Sequence, residues 1–230
     1  MKTTEAPMTM WQLVNSPDVA RVILIFEYVG VLAFTFTAVN PVNLYTPVSL
    51  GGFGFPPELI AAVIGFSGLS QAAWLLLVFP ALHKRTGTGQ ILRLTAWAWP
   101  VFFAVNPCFN LLLRHGQKIA FWVIAPPALA LGSGVAMSFT AVQLAINDIA
   151  PSHETFGTLN AITLALSSGS RAVAPALATS VYATGVKYRI LGGQLFWVLN
   201  VILALGLIGL LRLLPEKAEG KPKKANTRVA

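Results

Sequence analysis

Six apolar runs, each long enough to cross a bilayer and separated only by short polar turns, leave this chain little choice of fold. They fall at about 19–45, 58–82, 91–113, 119–146, 157–183 and 194–214. A helix needs ~20 residues at ~1.5 Å each to span a hydrocarbon core of ~30 Å. Lipid offers no hydrogen bonds to exposed backbone, so runs of this kind become helices. The expected fold is an all-α membrane protein with six transmembrane helices.

Composition agrees, because charged residues make up 10% of the chain, against about 25% in soluble domains. The net charge of +8 does not point to nucleic acid, since the basic residues sit between the apolar runs. They follow the positive-inside pattern instead. Lys2, Arg21, Lys84, Arg85, Arg93, Arg212, Lys217, Lys221, Lys223, Lys224 and Arg228 lie on the face that carries both termini. The opposite face has Arg114, Lys118, Lys187 and Arg189. Both termini are therefore expected in the cytoplasm. Residues 1–18 do not read as a signal peptide and form a cytoplasmic lead. Residues 215–230 lack apolar periodicity and are expected to be a disordered basic tail.

Two charges interrupt the spans. Glu27 lies in the first and Arg171 in the fifth. Counted along their helices, Glu27 is expected ~12 Å in and Arg171 ~20 Å in, which leaves the arginine without a carboxylate at its own depth. An arginine facing lipid at that depth costs at least ~3 kcal/mol, so it is expected to face protein, water or an anionic ligand. Small side chains mark packing faces: Gly65, Gly68 and Ala72 in the second span, and Ala161, Ala165, Gly169, Ala172 and Ala176 in the fifth. Such rows let another helix approach closely. Pro175 invites a kink, and Asn40, Pro41 and Asn43 predict an irregular, polar end to the first span.

Hydrolytic and metal chemistry find no support in the pattern. An intramembrane serine protease needs a glycine two residues before its nucleophile, where Leu131 stands before Ser133, and a histidine base inside the bundle. His83, His115 and His153 all lie at span ends, without ligand spacing. No catalytic residue, metal site or cofactor is expected. Cys108 is the only cysteine, so no internal disulfide can form.

Three stretches carry a family likeness: LYTPVSLGGFGF at 44–55, LALGSGVAMSFTAVQLAINDIAP at 129–151 and GTLNAITLALSSGSRAVAPAL at 157–177. On these the chain resembles the C-terminal six-helix half of a major facilitator superfamily transporter. The nearest likeness is to the fungal drug:proton antiporter-like branch, related to zinc-induced-facilitator-like proteins. The basic loop after the second span keeps Arg85 and Gly87 of the family's pattern, with Pro80 and Lys84 in place of its glycine and aspartate. Ala174 and Pro175 resemble its glycine-proline pair.

The resemblance implies that the six spans correspond to helices seven to twelve. Spans one and four would then line a central cavity, while spans two and five face another half. Asn40, Asn43, Ser133, Ser138 and Gln143 become candidate substrate-lining residues. It also implies a carrier of small organic solutes that works by alternating access and is inactive as a lone half. Its partners would be the lipid bilayer, a small-molecule substrate, and an N-terminal six-helix half or a second copy. The alternative is a self-associating six-helix protein serving as a pore or non-catalytic scaffold. Proton coupling would need a membrane carboxylate, for which Glu27 and Asp148 are the candidates.

Overall fold

The structure, a computed structural model, describes residues 12–13, 15–150 and 153–220, with 153 and 154 described by backbone alone. Most of the lead, Lys2, and the tail from Lys221 to Ala230 lie outside the described residues. Six long helices follow one another: α1 Pro17–Tyr45, α2 Pro57–Thr86, α3 Thr88–Arg114, α4 Lys118–Ile149, α5 His153–Lys187 and α6 Leu195–Leu213. Five are long and apolar enough to cross a membrane. α5 is long enough at 35 residues, but its serines, threonines and glycines make it less apolar.

Local chemistry sets where the helices begin and bend. α1 starts at Pro17, whose missing N–H costs nothing in a first turn, and Asp18 follows on the positive end of the helix dipole. The expected irregular end at Asn40, Pro41 and Asn43 does not occur, because the helix runs through Pro41 to Tyr45. α5 likewise continues through Pro175. In α2 a π-type turn occupies Trp74–Val78, and the N–H of Phe79 reaches back to Trp74 O. Pro80 follows directly, and a widened turn relieves the clash its ring would make with the preceding turn. α4 tightens into a 3₁₀ turn at Ser133–Ala136.

α1 is the centre of the bundle. Val22, Phe26, Val29, Leu32 and Val39 along it are buried in the main core, together with Phe103 of α3, Ile146 of α4 and Trp197 of α6. α1 packs on α5, the second half of α4, and α6, while α3 packs on α6 and α4. Polar side chains tie these helices together: Tyr28 donates to Leu203 O at 2.7 Å, and the buried Trp99 Nε1 donates to Ser138 Oγ at 3.2 Å. α2 stands apart, with no buried residue in its first seventeen. Large apolar side chains face outward around the bundle, among them Trp97 and Ile202, 64% and 58% exposed. Such a belt suits acyl chains rather than water.

The turns alternate between two ends. At one end the 46–56 and 188–194 loops meet, and Arg114 donates to Val48 O, Ser49 O and Gly192 O. At the other, Glu219 pairs with Arg93 at 2.6 Å. Residues 215–220, expected as the start of a disordered tail, instead form a 3₁₀ turn at Glu216–Glu219. Ala218 is fully buried, and glycines at 87 and 89 admit the segment, since a Cβ on Gly87 would lie 2.6 Å from Gly220 O.

Candidate substrate cavity

A cavity of about 610 Å³ lies between α1, α2, α3 and the first half of α4, closed at one end by the 46–56 loop. Its wall is aromatic. Phe36 and Phe102 meet edge to face with centroids 4.8 Å apart, and Phe55 stacks on Trp122 at 5.7 Å. Phe53, Phe109 and Phe121 complete the upper part, with Phe53 and Phe109 each within 5.8 Å of Phe121. Asn40, Ser67, Asn106 and the indole N–H of Trp122 add side-chain polar groups, and no lining residue is ionisable.

The loop roof is built by backbone geometry. After α1 the chain folds back so that Phe53 N and Phe55 N donate to Asn43 O and Leu44 O, carbonyls the helix end leaves open. Gly52 permits this, because a Cβ there would sit 2.1 Å from Thr46 O. Asn110 Nδ2 holds the loop from α3, donating to Val48 O at 3.0 Å and Gly52 O at 2.7 Å. Gln194 Nε2 donates to Gly51 O from the other side. On the far wall, Trp74 fixes α2 to α4: its indole N–H donates to Ala130 O at 2.7 Å, and Gly134 leaves room for the ring.

The five candidate lining residues separate. Asn40 lies on the cavity wall. Asn43, one turn on, is fully buried, and its Oδ1 accepts from Tyr182 OH and Trp197 Nε1, both at 3.3 Å. Ser133 and Ser138 are buried and donate to Leu129 O and Val135 O of their own helix. Gln143 Nε2 donates to Asn160 Oδ1 at 3.2 Å, linking α4 to α5. None of these four lines the cavity. The aromatic residues that do were not singled out from sequence, although the F-x-F at 53–55 was a visible signal.

A second polar feature lies between α1 and α5. Ser170 Oγ donates to Glu27 Oε2 at 2.5 Å, and Glu27 Oε1 is buried with no partner among the described residues. Glu27 with Ser170 and Asn43 with Tyr182 occur in the same order along both helices, so α1 and α5 run parallel. The expected difference in depth between Glu27 and Arg171 therefore disappears. α5 begins at His153, a turn before the expected 157, so residue counts from helix starts do not measure a common depth. Arg171 does not use this proximity: its guanidinium stacks over Phe34, 4.9 Å from the ring centre, and makes no ion pair among the described residues.

Arg171 is exposed, as are Ala161, Ala165, Gly169, Ala172 and Ala176 on α5 and Gly65, Gly68 and Ala72 on α2. A Cβ built on Gly65, Gly68 or Gly169 would meet nothing within 4 Å. The small-residue rows are thus not used inside this bundle. Among the described residues no group of histidine, cysteine or carboxylate side chains could hold a metal.

Comparison with known proteins adds relatives over nearly the whole chain. The chain is 45% identical over 223 residues to the efflux pump azaK of Aspergillus niger, matching 97% of this chain and 48% of that protein. It is 27% identical to the major facilitator superfamily multidrug transporter mfsB of Aspergillus fumigatus, over 78% of this chain and 31% of the relative. A zinc induced facilitator-like 1 protein of Arabidopsis thaliana is 22% identical over 86% and 40%. The chain spans about half the length, or less, of the curated relatives it matches. No family model and no solved structure matches. These relatives are named as transporters and pumps, not enzymes, and with the apolar helices they make this an integral, multi-pass membrane protein.

Proposed function

Because this chain is homologous over nearly its whole length to transporters of the major facilitator superfamily, we propose that it supplies the C-terminal six-helix half of a carrier for small organic solutes. Alternating access needs two bundles rocking about a site between them. The observation that carries the reading is the unused face of α5, where small residues flank an exposed arginine. A charge on such a face is costly in lipid and favourable against a polar partner. The completing bundle is an N-terminal half or a second copy, covering α2 and α5.

The two ends of the bundle support an orientation with both termini in the cytoplasm. Lys84, Arg85, Arg93, Arg212 and Lys217 gather at the end where the 215–220 segment docks. The bias of basic residues to that end is what the positive-inside rule reads.

Flux in proteoliposomes tests the proposal. The chain alone is expected to move no solute, and the same chain joined in frame to six upstream helices is expected to restore uptake. Uptake by the lone monomeric chain would overturn the half-carrier reading. Flux by a specific dimer of the lone chain, crosslinked through α2 and α5, would favour the self-associating alternative.

A further inference from the structure

We propose that the cavity between α1, α2, α3 and α4 takes a neutral, flat aromatic molecule with one hydrogen-bonding edge. The assignment rests on reading the chain as part of a solute carrier, and it gives this half a ligand site of its own, apart from the site that two rocking bundles need between them.

Charge is decided first. No lining residue is ionisable. Glu27, the carboxylate on α1, is nine residues from Phe36, which puts it about 180° around the helix from the cavity wall. It faces Ser170 of α5, a helix that contributes nothing to the lining. An ion entering the cavity would lose water and gain no counter-charge, so charged solutes are disfavoured there.

Shape and polarity follow from the wall. Two aromatic pairs stand in it, Phe36 with Phe102 from α1 and α3, and Phe55 with Trp122 beside the roof. A flat aromatic solute gains stacking and edge contacts from such a wall that a saturated chain does not. At about 610 Å³ the space falls within the range of small-molecule sites, roughly 300–1,000 Å³.

Two carboxamides supply orientation. The Asn40 side chain lines the cavity and makes no hydrogen bond among the described residues. Asn106 spends its amide N–H on Phe102 O at 3.4 Å, which leaves its oxygen open. Together they can donate to and accept from a hydroxyl or carbonyl edge, a use that a lipid tail could not make of them.

Site-specific protection separates this from partition into lipid. Cys108, the only cysteine, is replaced by serine and Ala98, on the cavity wall, by cysteine, in the otherwise full chain in nanodiscs. Maleimide labelling is timed with 2-naphthol, 2-naphthoate and 2-naphthylmethylammonium, which share two fused rings and differ in charge. 2-Naphthol is expected to slow labelling severalfold, and the two ions are not. The Asn40→Leu/Asn106→Leu pair is expected to weaken 2-naphthol by about tenfold, the loss of roughly one or two hydrogen bonds, and to leave plain naphthalene unchanged.

Equal protection by the ions, or none by 2-naphthol, would overturn the assignment. So would an unchanged 2-naphthol affinity in the double variant. Should 2-naphthol fail while the joined chain still carries out flux, the cavity assignment is wrong and the carrier reading stands. Protection by 2-naphthol with no flux in the joined chain sinks the carrier reading and leaves a neutral aromatic site.

Discussion

At the scale of single residues, Glu27 is the most exacting position. It is held by one described donor, Ser170, and keeps a second oxygen buried without one. Removing that donor leaves an acid half-buried between helices, so Ser170→Ala is expected to cost ~1–3 kcal/mol of stability. Ser168→Ala removes only an exposed bond to Leu164 O of the same helix and should stay within about 0.5 kcal/mol. Thermal unfolding of the two variants in one detergent compares them, and equal losses would contradict the pairing. Under the carrier reading, Glu27→Gln keeps the shape and removes the proton. It is expected to flatten the pH dependence of flux in a chain joined to its other half; an unaltered pH response would place coupling elsewhere.

These residues also show what sequence could and could not tell. That Glu27 and Arg171 sit inside spans is visible in the bare chain, because no other charge lies within five residues of either. Their shared depth is not, since it depends on how far α5 protrudes before it enters the bundle. Asn40 and Asn43 look alike in sequence, yet one meets the cavity and the other Tyr182 and Trp197. Only the neighbouring helices decide which face is which.

Among the elements, α2 depends on the fewest contacts, and the Trp74 anchor bears much of them. A Cβ on Gly134 would sit 3.1 Å from the Trp74 ring, whereas one on Gly169 would meet nothing. Gly134→Val is therefore expected to displace the indole, loosen α2 and lower the unfolding temperature by several degrees, an effect of ~1–3 kcal/mol. Gly169→Val is expected to leave the lone chain's unfolding temperature unchanged. The docked 215–220 segment is tested separately: Ala218→Asp buries a charge where the wild-type side chain is fully enclosed. Trypsin is then expected to cut after Lys217 faster than in the parent chain, and an unchanged rate would mean that the segment does not rely on that contact. This segment was missed in sequence because a four-residue turn held by one alanine and one ion pair has no periodicity to read. The six long helices, by contrast, begin and end within a few residues of the six apolar runs, because a bilayer demands length and apolarity of such runs.

For the whole molecule the decisive property is an imbalance: a packed core centred on α1, and two helices, α2 and α5, whose small-residue faces are exposed among the described residues. The cavity lies inside the six-helix unit, bounded by four consecutive helices and a glycine-rich loop. The cavity and the exposed small-residue faces are thus separate surfaces of one bundle. The most direct test labels Ala165→Cys, in the Cys108→Ser background, with a small fluorophore and measures its quenching by brominated lipid. Ile202→Cys on α6, a helix the second bundle does not cover, serves as the lipid-facing control, since the native side chain is exposed. Strong quenching at 165 in the lone chain, and shielding once the chain is joined to a second six-helix bundle, is the expected result. Quenching at 165 that remains as strong as at 202 in the joined protein would contradict the claim that this face is built to be covered by protein.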